Sequence, residues 1–134
     1  MKTMPFSELD LKINEPVVHN YFAQFNQSDF VATSNLFSER GSLKPPFENT
    51  IKGRSAIAQY LEKEAFGMKV LQAYIKTAMI AQDCIQYQVQ GKVKTNYFTV
   101  NASWLISLNS IKEITFVEIQ LLEKLGDLLA FKHH

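Results

Sequence analysis

A short set of side chains limits the chemistry open to this sequence: Tyr21, Trp104, Glu118, Asp83, His19 and Cys84. Proton-transfer catalysis needs a buried carboxylate or a His–Asp pair as base, facing a donor such as a tyrosine hydroxyl. Tyr21, in "HNYF", could be that donor. Glu118 and Asp83 are the candidate bases, but Glu118 falls at a strand end of mixed polarity and Asp83 reads as a turn residue. His19 stands beside Tyr21 in sequence and points elsewhere on a helix, while His133 and His134 are terminal. There are no paired carboxylates, no His–Asp constellation and no zinc-ligand spacing. Trp104, the lone tryptophan, lies on an apolar strand face and reads by itself as core, as Tyr21 does on its apolar helical stripe. Cys84 shares a polar strand face with Gln86 and Gln88. With nothing basic beside it to lower its pKa, an idle thiol outweighs a redox-sensitive intermolecular disulfide.

These residues must be positioned by the elements that the hydrophobic pattern predicts. "NEPVVHNYFAQFNQSD" reads as a helix capped by Asn14, with Pro16 in its first turn and Val18, Tyr21, Phe22 and Phe25 at helical spacing. "SDFVATSNLF" predicts a shorter helix capped by Ser28 or Asp29. "GSLKPPF" predicts a short extended piece, with Pro45 and Pro46 excluding a central strand and Gly41 and Gly53 permitting the turns around it. "GRSAIAQYLEKEAF" predicts a third helix with Ala56, Ile57, Tyr60 and Leu61 on one face and Gly67 as its stop. After that glycine the period changes. In "CIQYQVQGKVK", Ile85, Tyr87, Val89, Gly91 and Val93 alternate against Cys84, Gln86, Gln88, Gln90, Lys92 and Lys94. "VNASWLISL" and "EITFVEIQLL" predict two further strands around a hairpin at "LNSIKE", and "KLGDLLAF" a terminal helix. Helices first and antiparallel strands after argue for an α+β fold, a curved sheet wrapped on N-terminal helices.

Composition excludes several classes. At 134 residues one domain is expected. A formal net charge of +1 gives no electrostatic case for nucleic acid. A single cysteine forbids an internal disulfide. The start, "MKTMPFSELDLKINEP", has no apolar core of a signal peptide, and no stretch approaches the 18 or so apolar residues of a transmembrane helix. A cytoplasmic protein is the expectation. Ten phenylalanines and five tyrosines favour a large apolar interior or a cavity.

The segments "NYFAQFNQSDF", "LFSERGSLKPPFENTIKGRSAI", "VQGKVKTNYF", "ASWLISLN" and "FVEIQLLEKLGDLL" carry a resemblance. From about residue 15 to about 131 the chain resembles NTF2-like cone domains, and among them the C-terminal domain of the cyanobacterial orange carotenoid proteins and its stand-alone homologs, which are carotenoid carriers. The resemblance implies an N-terminal arm over 1–14 and a single NTF2-like carotenoid-binding domain over 15–132. It implies a non-covalently bound ketocarotenoid of the echinenone or canthaxanthin type, whose ring carbonyl is hydrogen-bonded by Tyr21 and Trp104. Phe25, Val70, Tyr97, Phe98, Ile106 and Ile119 would line the tunnel. Glu64 matches a carboxylate that pairs with an arginine of the helical domain in two-domain members, so it is a candidate partner contact. Carotenoid exchange with helical carotenoid proteins, singlet-oxygen quenching and photoprotection are implied in the same way, and a homodimer sharing one carotenoid is expected because one domain of this size covers only part of so long a pigment. The alternative is an NTF2-like enzyme of the ketosteroid-isomerase type acting on a small hydrophobic substrate.

Overall fold

The computed structural model describes residues 10–122. Its elements follow the order β1 (Asp10–Lys12), α1 (Pro16–Asn26), α2 (Phe30–Asn35), β2 (Phe37–Lys44), β3 (Ile51–Lys52), α3 (Arg54–Glu64), β4 (Lys69–Ala81), β5 (Cys84–Lys94), β6 (Thr99–Leu108) and β7 (Ile114–Leu121). The strands form one sheet in the order β1-β4-β5-β6-β7-β2-β3. Pairing is antiparallel except where β1 meets β4 and β2 meets β7. The expected α+β layout is therefore present, with β1 adding three residues of the N-terminal stretch to the sheet edge. The terminal helix expected from "KLGDLLAF" lies outside the described residues.

α1 starts at Pro16, whose missing N–H is no loss in a first turn. Its cap position is Glu15 rather than the expected Asn14, and Glu15 makes no side-chain cap. That carboxylate instead accepts from the Tyr87 hydroxyl at 2.9 Å and the Lys112 ammonium at 3.1 Å, tying the helix start to β5 and the β6–β7 turn. At the other end Asn26 imitates a strand: its Nδ2 donates to the Val70 carbonyl at 2.8 Å and its Oδ1 accepts from the Val70 N–H at 2.7 Å. Both ends of α1 are thus fixed to the sheet. Between them Val18, Tyr21, Phe22 and Phe25 are buried. α2 is capped by Asp29, whose Oδ1 accepts from the Ala32 N–H at 3.1 Å.

Three expectations change at the next elements. The extended piece begins at Phe37, ahead of Gly41, and ends at Lys44 just before the prolines that cannot continue it. Gly41 is not a turn residue. A Cβ there would come within 2.9 Å of the Ile114 carbonyl oxygen and 3.0 Å of the Phe37 side chain, so it is close packing that requires glycine. Gly53, with φ of 93°, does adopt a turn conformation. In α3, Ile57 and Leu61 are buried and Tyr60 half-buried, but Ala56 faces solvent.

β5 and β6 pair without interruption from Ile85↔Leu108 to Lys94↔Thr99, which locks the alternating apolar positions of both strands onto one face. This phase sets Trp104 opposite Val89 on one side and Ile119 on the other. β4 has no such regularity. Its pairing slips between Val70 and Gln72 and again between Ile75 and Thr77, and irregularities of this kind bend a strand and sharpen its twist. The helices fill the concave side, where Val18, Phe22, Phe30, Ile57 and Leu61 join Val89, Ile106, Leu108 and Val117 in one core.

Close approach at the first irregularity demands glycine at position 91, because a Cβ there would overlap the Gln72 carbonyl oxygen. The atoms met, the Gln72 carbonyl and the Ala73 Cα, are all backbone of β4, so no flexible side chain can give way. Gly91→Ala is expected to destabilise the chain by about 1–3 kcal/mol. Urea denaturation would show this as a lower midpoint with an unchanged slope, and an unchanged midpoint would contradict it.

Candidate functional site

Packing between α1, α3 and the concave sheet leaves an apolar cavity of about 240 Å³. Its floor carries Tyr21 and Trp104, both buried. Its mouth is framed by Pro46 from the segment after β2, Tyr60 and Glu64 from α3, Met68 before β4, and Thr95 and Phe98 between β5 and β6. Phe25, Val70 and Ile119 complete the walls.

Phe22 sets the spacing of the floor. Its ring packs edge-on against Tyr21, with centroids 5.1 Å apart, and against Trp104, with centroids 4.9 Å apart. Such perpendicular contacts are favourable and directional, so both aromatics are held in fixed orientations. The Tyr21 hydroxyl is buried and has no hydrogen-bond partner among the described residues. Trp104 likewise makes no hydrogen bond through its indole N–H among them. Burial pushes the Tyr21 pKa well above its ordinary value, which keeps the group a neutral donor. A buried hydroxyl without a partner costs roughly 1–3 kcal/mol. The floor therefore offers donors with nothing to receive them.

Acid–base groups are placed elsewhere. Glu64 is the one carboxylate lining the cavity among the described residues, and it is exposed at the mouth. Tyr60 donates to Glu48 Oε2 at 3.1 Å, and its pKa is raised by burial first and then by Glu48 and Glu64. Of the candidate bases, Glu118 lies on the far face of β7, where it accepts from Gln120 at 3.4 Å, and Asp83 is exposed in the β4–β5 turn. His19 is exposed on α1. No cluster of three or more metal-ligating side chains occurs among the described residues.

Two expected wall residues are misplaced. Tyr97 is 84% exposed and turns away from the cavity, because Thr95 Oγ1 ties the Tyr97 and Phe98 amides into a tight turn. Ile106 has the inward phase of Trp104 but is fully buried in the core beyond the cavity floor. Leu43, Leu61, Met68 and Val93 line the cavity without having been singled out. Leu61 and Val93 were detectable, since each already fell on an inward face, whereas nothing local marks Met68. Cys84 is half-buried at the start of β5 beside Gln86, which donates to Ser107 Oγ at 3.2 Å.

Residues 13–116 match the Nuclear transport factor 2 (NTF2) domain, and the chain belongs to that family. It is homologous to the C-terminal domain of the orange carotenoid proteins. Against the orange carotenoid-binding protein of Synechocystis sp. it is 31% identical over 123 residues, covering 89% of this chain and 39% of that protein. The structure of the Anabaena (Nostoc) orange carotenoid protein binding canthaxanthin superposes with a TM-score of 0.76 at 35% identity, over 89% of this chain and 40% of that one. The chain thus spans about two fifths of the length of these relatives. A putative isomerase from Bacillus subtilis shares the fold alone, with a TM-score of 0.63 at 13% identity over 79% of this chain and 84% of that one.

An unpartnered hydroxyl makes a thermodynamic prediction. In ligand-free protein, Tyr21→Phe is expected to raise stability by about 1–2 kcal/mol, because it deletes a desolvated group that bonds to nothing. Thermal denaturation would show a higher midpoint, and a lower one would contradict the assignment. The pH dependence has a definite sign. The folded state keeps the Tyr21 proton that the unfolded chain loses above about pH 10. Stability is therefore fully present below about pH 10 and falls as pH rises beyond it, by up to about 1.4 kcal/mol per pH unit for one such group. Tyr21→Phe should make that alkaline decline shallower.

Proposed function

We propose that this chain binds one end of a ketocarotenoid without a covalent bond, with the Tyr21 hydroxyl and the Trp104 indole N–H donating to the ring carbonyl. The observation that carries this reading is the buried hydroxyl of Tyr21, left without a partner at the floor of an apolar cavity beside Trp104. A ketocarotenoid is apolar except at its ring ends. Its carbonyl would be costly to bury alone, by a few kcal/mol, and two neutral donors remove that cost without adding a charge. Similarity to proteins named for carotenoid binding supports the choice of ligand. The cavity lining also supports binding over catalysis, since among the described residues no carboxylate or imidazole reaches its floor.

The cavity volume bears on assembly. At about 240 Å³ it is smaller than the roughly 300–1,000 Å³ of sites that enclose a drug-sized ligand. A carotenoid is about 30 Å long, about the thickness of a bilayer core. A domain of this length has a radius of gyration of about 14 Å. One cavity therefore covers one end, and the rest would expose apolar surface at about 25 cal/mol per Å². Two chains set mouth to mouth remove that surface. In this reading the pigmented form is a homodimer sharing one carotenoid, which it receives from or passes to helical carotenoid proteins. Glu64, exposed at the mouth, is the side chain placed to meet such a partner. Singlet-oxygen quenching follows from the pigment itself.

The test is the visible absorption of protein expressed in a host that makes ketocarotenoids. The expected product is coloured, with one pigment per two chains by scattering and pigment counting. Folded but colourless protein would overturn the proposal, and one pigment per stable monomer would overturn the shared arrangement. Tyr21→Phe and Trp104→Phe should each still load and absorb to the blue of the parent. The double variant should load poorly, and Tyr97→Phe should leave the spectrum unchanged. Unchanged spectra in both single donor variants would return the pair to ordinary core.

A further inference from the structure

We propose that the free edge of β4 is a self-association surface, on which a second copy of this chain pairs antiparallel to join the two sheets. This goes beyond the carotenoid reading and uses a different part of the molecule. β1 covers β4 only at Gln72–Tyr74, after which the chain turns away at the buried Ile13 towards α1. From Ile75 to Ala81, β4 has a strand partner on one side only among the described residues, namely β5. The opposite sheet edge is a two-residue strand, β3, packed against α3. Free edges in native proteins are commonly blunted by proline, by charged side chains, by β-bulges or by short length. Here the lysine, Lys76, and the irregular pairing between Ile75 and Thr77 fall together, whereas residues 78–81 beyond them carry no proline, charge or pairing irregularity and expose Met79 at 68% and Ile80 at 78%.

The hairpin defines which backbone groups face outward. β4 and β5 are joined by the two-residue turn Gln82–Asp83, so Ala81 and Cys84 form the hydrogen-bonded pair that closes it. Alternation then turns the N–H and C=O of Met79 and Thr77 towards β5, and those of Ala78 and Ile80 away from it. A two-fold axis through Met79 sets Ala78 of each copy opposite Ile80 of the other. Both pairs exchange their outward N–H and C=O groups, and the two Met79 side chains meet on one face. The same antiparallel sense brings the Lys76 end of one strand to the Asp83 end of the other, so unlike charges meet at both ends. A second copy is the occupant that this symmetry and charge order fit. The cavity mouth stays clear, since the residue of β4 that lines it is Val70, near the opposite end of the strand.

Pigment-free full-length protein provides the test, so that its outcome is independent of carotenoid binding. Sedimentation across the micromolar range should show a reversible dimer. Ala78→Pro removes an outward N–H while leaving the β4–β5 ladder intact, and should raise the dimer dissociation constant by at least about tenfold. Near-ultraviolet circular dichroism should confirm its native fold. Lys76→Glu should also weaken the dimer, and the double variant Lys76→Glu/Asp83→Lys should restore it. A monomeric parent, or a dimer indifferent to Ala78→Pro and to the charge exchange, would overturn the proposal.

Discussion

Tyr21 buries a hydroxyl that has no acceptor among the described residues, and it does so on a helix held to the sheet at both ends. An orphan of this kind persists only where the surrounding structure leaves the side chain no alternative. α1 is held at its start by Glu15, through Tyr87 and Lys112, and at its end by Asn26, through the Val70 backbone. Phe22 and Phe37 fix the Tyr21 ring from two sides. The ring is held in place and no acceptor among the described residues reaches the hydroxyl, so the cavity floor keeps a donor facing its apolar walls.

The rest of the site follows from that constraint. The floor must be neutral, because a charge buried there would be costly without a counter-ion, and tyrosine and tryptophan supply donors without one. Charge is kept at the rim, where Glu64 is exposed and Glu48 takes the Tyr60 hydroxyl in partial contact with water. The walls are built from elements that arrive by different routes. β6 and β7 bring Trp104 and Ile119 in continuous register, while the displaced pairing at Val70 delivers β4 to Asn26. The prolines after β2 stop that strand beside the cavity, where Pro45 is buried in the lining and Pro46 frames the mouth.

Much of this was legible in the sequence, for identifiable reasons. β5, β6 and β7 could be read because their pairing keeps a period of two over most of its length, with Trp104 and Val89 in phase. α1 showed its buried stripe at Val18, Tyr21, Phe22 and Phe25, whereas residue type alone gave Tyr21 and Trp104 as core and only the family resemblance singled them out. β4 was not legible, since two irregularities within its length break the alternation that would have revealed it. Tyr97 and Ile106 were misread as wall because neither the tight turn at Thr95 nor the depth of the cavity floor leaves a local signature. Asn14 looked like a cap by type, yet the helix begins at a proline and Glu15 is used for tertiary contacts instead.

The central claim is that two donors on the cavity floor hold a ring carbonyl, and the carbonyl itself is the most direct witness. Isotope-edited infrared difference spectra of protein loaded with a ketocarotenoid labelled at the ring oxygen would report its stretching frequency. The account predicts a band shifted down from that of the pigment in apolar solvent. It should move part of the way back in Tyr21→Phe or in Trp104→Phe, and fully back when both are replaced. A bound carbonyl with its apolar-solvent frequency in the parent protein, or one unmoved by either substitution, would contradict the account.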